Sequence, residues 1–249
     1  MIELYSTELI KNIYSKPSIS SEVTSQLLYG EKLKILEKKK NWIKIKTSSD
    51  NYTGFIKNNK LIENLNPTHK CYLIKTKIYY KNKNQKKYLP FNSRISINKV
   101  HNGYGEFEKG KWVKLNQIKK YKFIEKNFLR TVNKFLGFKY LWGGKSYKGI
   151  DCSALIQLIY LFNNKFFPRD TKDQNKFSKK KIKKKNVYEK GNIIYWKGHV
   201  AICINKKKLI HAYGPKKKVL IMNIKDTIKL IKKTANLDVK KISKIKKWI

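Results

Sequence analysis

Hydrophobic and polar residues alternate along the N-terminal half of the chain, and short polar runs interrupt the alternation. Leu33 and Ile35 alternate with charged neighbours, and the run 42–46 (Trp-Ile-Lys-Ile-Lys) does the same. Turn-forming residues such as Asn41 and Asp50 separate these runs. Because side chains of a β-strand point alternately to opposite faces, this pattern predicts the short antiparallel strands of a small barrel.

The strand-rich half contains two segments that look like divergent copies of one unit. The first copy contains Ile13-Tyr-Ser-Lys and Trp42-Ile-Lys-Ile, and the second contains Ile78-Tyr-Tyr-Lys and Trp112-Val-Lys-Leu. The isoleucines lie 65 positions apart and the tryptophans 70. An internal repeat with a small insertion explains both spacings.

The hydrophobic period changes after residue 120. Residues 123–136 carry apolar side chains at helical spacing and predict a helix, which Gly137 would terminate. Residues 153–162 form an apolar run that predicts a buried helix. Three further runs predict strands, at residues 193–196, 198–204 and 209–213.

These patterns predict three domains within the 249 residues. Two small all-β domains cover residues 1–66 and 67–120, and Asn66-Pro67 marks their boundary. One α+β domain covers residues 121–249. Within it, the lysine-rich run 178–185 predicts a solvated loop.

The formal net charge is +43, from 59 Lys and Arg against 16 Asp and Glu. One explanation is an anionic partner such as nucleic acid, wall polymer or a membrane surface. The other is an A/T-rich coding sequence, since lysine, asparagine and isoleucine are all abundant. The lysines are scattered through every segment, and arginine, the preferred base-reading residue, is nearly absent. We favour the second explanation and expect no specific nucleic-acid partner.

Three cysteines, Cys71, Cys152 and Cys203, form neither a disulfide framework nor a paired metal motif. The first residues lack the basic start and continuous apolar run of a signal peptide, and no stretch is long and apolar enough to span a bilayer. We therefore expect a monomer in the reducing cytoplasm, with export to the cell envelope as the alternative. We expect no metal or other cofactor.

Cys152 stands where a glycine-rich loop meets the second apolar run. Asp151 is a good helix cap, and the free N–H groups and dipole at a helix start favour a thiolate. Gly143, Gly144 and Gly149 allow the loop to turn tightly and a substrate backbone to approach. An inert core cysteine fits these facts equally well.

Two histidines favour the interpretation of Cys152 as a nucleophile over that of an inert core cysteine. His199 and His211 lie on the two strands of a predicted hairpin. A two-residue turn pairs His211 with Ile202, on the wrong face. A three-residue turn pairs His211 with Ala201 and makes it a diagonal neighbour of His199. A working site therefore requires the odd-length turn or a bulge. Cys203 shares the face of His199, so a metal site built from these three residues is the less favoured alternative.

Three segments together resemble the NlpC family, the papain-like cell-wall peptidases of bacteria. They are Tyr140-Leu-Trp-Gly-Gly with Asp151-Cys-Ser, Gly191-Asn-Ile-Ile-Tyr-Trp with His199-Val-Ala-Ile, and Leu209-Ile-His-Ala. Ala154 and Asn192 depart from the glycine and the aspartate usual in the family, and neither change removes a reacting group.

The N-terminal copies resemble bacterial SH3-like domains, and the pair resembles the subgroup that cuts γ-D-glutamyl–diamino acid bonds. The resemblance implies an α+β fold class. Two small all-β SH3-like barrels precede a papain-like catalytic domain, in which the helix that bears the nucleophile packs on an antiparallel sheet.

The resemblance also implies a role for each residue of the motifs. Cys152 is the nucleophile, and His199 is the general base and then the acid for the leaving amine. His211 orients His199, as the third member of a triad does. Tyr140 assists the oxyanion together with the Cys152 backbone N–H.

Five further residues are implied to contact the substrate. Asp151 and Ser153 flank the nucleophile and help to hold the substrate, and Thr171 falls where the family often has a hydroxyl that contacts it. Glu31 and Tyr52 resemble a pair that meets the free amine of the N-terminal alanine. For Glu31, an ordinary Gly-Glu turn is an equally good explanation.

The resulting hypothesis is a cysteine endopeptidase that hydrolyses the γ-D-glutamyl–diamino acid amide of peptidoglycan stem peptides through a thioester acyl-enzyme. Its partner is a peptidoglycan-derived peptide with a free N-terminal L-alanine. The alternatives are a non-catalytic module that binds cell wall or polyanions, and a papain-like acyltransferase or amidase.

Overall fold

The computed structural model describes residues 4–58, 61–80, 85–178 and 187–244. The chain divides into two compact units, one of residues 1–123 with 162–164 and the other of residues 124–161 with 165–249. The predicted loop at 178–185, except for Ser178, lies outside the described residues. Within the described ranges, every helix is too short or too polar to cross a membrane. The bounds of the three predicted domains stay predictions.

Seven antiparallel strands form the first sheet of the N-terminal unit. Along residues 42–47, Ile43 and Ile45 point into the core and alternate with partly exposed side chains, as the sequence pattern predicts. The strands are β1 (Leu4–Ser6), β2 (Ile10–Tyr14), β3 (Val23–Leu28), β4 (Lys32–Lys39), β5 (Trp42–Thr47), β6 (Thr53–Lys57) and β7 (Leu61–Glu63). Their order in the sheet is β3-β2-β6-β5-β4-β1-β7.

Among the described residues, eight further strands of the N-terminal unit surround a second core that contains Ile78, Phe107 and Val113. Tyr29 joins this core, and its hydroxyl donates to Glu108 at 2.7 Å. The strands are β8 (His69–Cys71), β9 (Lys75–Tyr80), β10 (Lys87–Pro90), β11 (Arg94–Ile95), β12 (Lys99–His101), β13 (Tyr104–Glu108), β14 (Lys111–Lys114) and β15 (Ile118–Lys120). They form the sheets β10-β9-β14-β13-β12 and β11-β8-β15.

The C-terminal unit begins with a shorter helix than the pattern predicts. Helix α1 (Phe128–Val132) is followed by one 3₁₀ turn at Asn133–Phe135, and Asn127 caps α1 by accepting the Leu129 N–H at 3.2 Å. The helix predicted over 123–136 is therefore wrong for residues 123–127, because the Asn127 cap stops it from extending further towards the N-terminus.

Among the described residues, the rest of this unit contains a five-stranded antiparallel sheet, a separate pair of strands and three further α-helices. The elements are β16 (Lys145–Ser146), β17 (Gly149–Ile150), α2 (Cys152–Phe162), α3 (Thr171–Phe177), β18 (Asn192–Trp196), β19 (His199–Cys203), β20 (Lys208–Tyr213), β21 (Lys218–Asn223), α4 (Ile224–Ala235) and β22 (Lys241–Lys244). Strand β16 pairs with β17, and the strand order in the five-stranded sheet is β21-β20-β19-β18-β22. Helix α2 is apolar on nearly every side and is almost completely buried, so packing fixes the position of its first residue, Cys152.

Candidate active site

Cys152 is the first residue of α2, and its side chain is only 4% exposed. Its sulfur lies 4.0 Å from the Thr171 hydroxyl and 4.0 Å from the Gly198 carbonyl oxygen. The backbone N–H of Val200 donates to the same sulfur. The thiol therefore lies against the residues on both sides of His199, at the start of β19.

The hairpin of β19 and β20 has the register that a working site requires. Ile202 pairs with Ile210, and Cys203 pairs with Leu209. This register leaves residues 205–207 as a three-residue turn and sets His211 opposite Ala201. The prediction of an odd-length turn is confirmed.

The register brings the two histidine rings together. His199 Nε2 lies 2.9 Å from His211 Nδ1. The Tyr213 ring stacks on His211, with centroids 4.8 Å apart and planes 8° from parallel. Because Nε2 of His199 is engaged by His211, Nδ1 is the nitrogen that remains to accept a proton from a nucleophile.

The carboxylate of Asp151 ties the helix start to the glycine-rich loop. It accepts the Ala154 N–H at 2.8 Å, the Ser153 hydroxyl at 3.0 Å and the Gly143 N–H at 3.0 Å. The first of these contacts confirms Asp151 as the cap of α2. Gly143 needs its freedom here, because its φ is +70°.

Arg169 completes the cap, and sequence reasoning did not assign it a role. Its guanidinium binds both carboxylate oxygens of Asp151, at 3.0 and 2.5 Å, and donates to the Ser153 hydroxyl at 2.7 Å. Arg169 and Asp151 are both buried. The sequence did hold a signal, since Arg169 is one of only three arginines in this lysine-rich chain.

Burial controls the protonation of the reacting groups. Loss of solvent, and then the nearby charge of Asp151, raise the pKa of the Cys152 thiol to about 11. This direction is opposite to the one predicted from the helix start, and its largest cause is the burial of the thiol. Burial also lowers the pKa of His199 to about 4. The resting site thus holds a neutral thiol beside a neutral imidazole, so the thiol must lose its proton as it attacks.

We predict that the buried histidines make the fold sensitive to mild acid. Burial, with the neighbouring His199, lowers the pKa of His211 from 6.5 to about 3. Below pH 6.5 the unfolded chain takes up protons that the folded chain refuses, so stability is full above this pH and is lost as the pH falls. Two such histidines give a slope that rises from about half of 2.7 kcal/mol per pH unit at pH 6.5 towards about 2.7 kcal/mol per pH unit near pH 5.

Urea titrations between pH 6.5 and 5 measure this slope. His211→Asn should lower this slope by up to about 1.4 kcal/mol per pH unit, the share of one histidine. A slope in His211→Asn equal to that of the unmodified chain would contradict the assignment.

The structure places Tyr140 and Thr171 in the same unit as the thiol and the histidines. Burial raises the pKa of Tyr140, and the Asp151 carboxylate, together with Cys152 when it is a thiolate, raises it further. The Tyr140 hydroxyl therefore stays protonated at neutral pH and can donate a hydrogen bond. Thr171, at the start of α3, contacts the sulfur directly.

The two residues predicted to meet the substrate amine lie in the other unit. Glu31 is buried, and its carboxylate accepts the Leu28 N–H at 3.1 Å within the turn before β4. The Tyr52 backbone N–H donates to the Thr47 hydroxyl at 2.9 Å. Glu31 therefore stabilises the turn before β4 through this hydrogen bond. Its contact with substrate stays a prediction.

A metal centre built from Cys203 and the two histidines receives no support from the geometry. Across the described ranges, no group of three or more His, Cys, Asp or Glu residues is arranged to hold a metal ion. Cys203 instead packs into a hydrophobic cluster with Ile194 and Leu209.

Comparison with known proteins identifies two parts of the chain. Residues 137–235 match the NlpC/P60 family, and residues 8–62 match the bacterial SH3 domain. The chain is 24% identical over 236 residues to dipeptidyl-peptidase 6 of Lysinibacillus sphaericus, covering 82% of this chain and 85% of that protein. It is 26% identical over 235 residues to the gamma-D-glutamyl-L-lysine dipeptidyl-peptidase of Bacillus subtilis (strain 168), covering 83% and 77%.

A solved structure shows the same fold. The crystal structure of an NlpC/P60 family protein from Bacillus cereus superposes with a TM-score of 0.77 at 19% identity, covering 89% of this chain and 94% of that one. The predicted α+β class, with SH3-like barrels before a papain-like domain, is confirmed.

Proposed function

Because this chain carries an NlpC/P60 peptidase domain at residues 137–235 behind a bacterial SH3 domain at residues 8–62, we propose that it is a cysteine endopeptidase of peptidoglycan stem peptides. The bond cut is the amide between γ-D-glutamate and the diamino acid. The observation that carries the proposal is the 2.9 Å contact of His199 with His211 beside the Cys152 thiol. The name of the Bacillus subtilis relative supports the choice of bond.

Acylation begins with the transfer of the thiol proton to Nδ1 of His199. The sulfur attacks the side-chain carbonyl carbon of D-glutamate and forms a tetrahedral oxyanion. The Cys152 backbone N–H has no acceptor within α2, because it lies in the first turn, and it can bind this oxyanion together with the Tyr140 hydroxyl. The imidazolium of His199 is stabilised by its contact with His211.

Acylation ends when the tetrahedral intermediate collapses: His199 protonates the leaving amine of the diamino acid, and the acyl group remains on Cys152 as a thioester. In deacylation, water gives a proton to His199 and attacks the thioester. The L-Ala-D-Glu acid is released, and the sulfur takes back the proton.

Asp151 and Ser153, which cap α2, already use their polar groups in hydrogen bonds within the protein, and this leaves them less able to bind the substrate. Asp151 holds two backbone N–H groups, the Ser153 hydroxyl and the Arg169 guanidinium. Thr171 is free of this network and touches the sulfur, so it is the better supported contact with the substrate. Direct contacts from Asp151 and Ser153 remain part of the proposal.

We predict that the enzyme requires the free N-terminal amine of the peptide. L-Ala-γ-D-Glu-L-Lys should be cut about 10- to 100-fold faster than its N-acetyl form, the range for loss of one charge-assisted hydrogen bond. Glu31→Gln should remove this preference, whereas Glu37→Gln, on the exposed part of β4, should retain it. Chromatography of the released lysine measures both rates. Equal rates for the two peptides would refute the amine site and leave the peptidase assignment standing.

We also propose that this peptidase acts in the cytoplasm. Support comes from three cysteines that are all free and buried. Cleavage of short free-amine peptides in preference to intact peptidoglycan would favour recycling over remodelling of the wall.

A further inference from the structure

Behind the histidine pair lies a contact that the proposed mechanism does not yet use. His211 is completely buried, and its Nε2 lies 3.3 Å from the sulfur of Met222. Met222 belongs to β21, where it pairs with Leu209, while His211 pairs with Leu220. Met222 and His211 are therefore diagonal neighbours on one face of the sheet.

We propose that Met222 is a positioning residue that selects the tautomer of His211, and through it the nitrogen of His199 that accepts the thiol proton. A thioether sulfur can accept a hydrogen bond and cannot donate one. The contact between Nε2 and the sulfur is therefore a hydrogen bond only when His211 carries its proton on Nε2. The inference concerns the proton positions in the site and rests on the proposed function for its consequence in catalysis.

The order of the remaining protons follows from this choice. A neutral His211 with its proton on Nε2 has a lone pair on Nδ1, so His199 must donate from Nε2 across their 2.9 Å contact. The neutral His199 then has its lone pair on Nδ1. This is the tautomer that can take a proton from Cys152.

The opposite tautomer disables the site. If His211 carried its proton on Nδ1, it would donate to Nε2 of His199, and His199 would hold its own proton on Nδ1. The Nε2 lone pair of His211 would also face the sulfur lone pairs in a buried position. Met222 therefore favours the competent arrangement.

The neutrality of Met222 matters as much as its ability to accept. A carboxylate at this position would stabilise the imidazolium of His211, which would donate from both nitrogens and block the same tautomer of His199. A thioether orients the ring without adding charge. Burial also keeps His211 neutral, since it lowers its pKa to about 3.

Nitrogen NMR of ¹⁵N-histidine-labelled protein at pH 7 measures these proton positions directly. In the unmodified chain, both His199 and His211 should carry the proton on Nε2. Met222→Leu keeps the volume and removes the acceptor, so it should populate the Nδ1 tautomer of His211. It should lower kcat about 10-fold with little change in KM, as the loss of one weak hydrogen bond predicts.

The control is Ile221→Val, on the opposite face of the same strand, which should alter neither the tautomers nor kcat. A proton on Nδ1 of His211 in the unmodified chain would overturn the inference, and so would unchanged tautomers in Met222→Leu. If the tautomers are as stated and no peptide is cut, the inference stands and the proposed function falls.

Discussion

Replacement of Cys152 by alanine is expected to abolish hydrolysis of L-Ala-γ-D-Glu-L-Lys, with a fall in kcat of about 10⁴-fold or more. No other thiol can replace it, because Cys71 lies in the other unit and Cys203 is buried in a hydrophobic cluster. The sulfur touches the backbone on both sides of His199, so nucleophile and base act together. Release of free lysine, followed with time, measures the loss.

A matched cysteine variant and a double variant sharpen this test. Cys71→Ala removes another buried thiol and should keep kcat within about 3-fold of the unmodified chain. Because catalytic residues that act as one unit are not additive, Cys152→Ala with His199→Ala should be no slower than Cys152→Ala alone. Retention of more than about a hundredth of the activity by Cys152→Ala would exclude its role as nucleophile.

Replacement of Arg169 by methionine is expected to cost about 3–5 kcal/mol of unfolding free energy, the usual effect of removing one partner of a buried ion pair. The change leaves the Asp151 carboxylate buried without its counter-charge. It also leaves the Ser153 hydroxyl without its 2.7 Å donor. Urea titration at pH 7 measures the free energy.

Two variants separate charge from packing. Asp151→Asn removes the stranded charge, so the double variant with Arg169→Met should be more stable than Arg169→Met alone. Lys232→Met is the control, since Lys232 and Asp238 form an ion pair at 2.7 Å with both side chains exposed, and its loss should change stability by less than about 1 kcal/mol. A stability of Arg169→Met within about 1 kcal/mol of the unmodified chain would show that the pair does not hold the helix start.

The sequence shows that the length of the turn between β19 and β20 decides whether His211 meets His199, but residue types alone do not fix this length. The run Asn205-Lys-Lys-Lys suits a turn of two residues or of three. In the structure, the Asn205 side chain accepts the N–H groups of Lys207 and Lys208, each at 2.8 Å. These local bonds favour the three-residue turn, which sets His211 beside His199.

Contacts between residues that are far apart in the sequence could not be predicted from the pattern. Arg169 is 18 positions from Asp151, and Met222 is 11 positions from His211. Neither pair lies on one helix or one strand, so the period of these elements does not relate the two residues. The thiol pKa was predicted in the wrong direction for the same reason. The helix start is a local feature, whereas burial of Cys152 depends on the packing of Thr171 and of β19 around it.

The most direct measurement of the central claim is the mass of the acyl-enzyme. The protein is mixed with L-Ala-γ-D-Glu-L-Lys, quenched in acid within one turnover and digested for mass spectrometry. We predict an added L-Ala-γ-D-Glu acyl group on the peptide that contains Cys152, at a level that falls as substrate is consumed. Product release without this adduct, or with the adduct on a different residue, would contradict the assignment of Cys152 as the nucleophile.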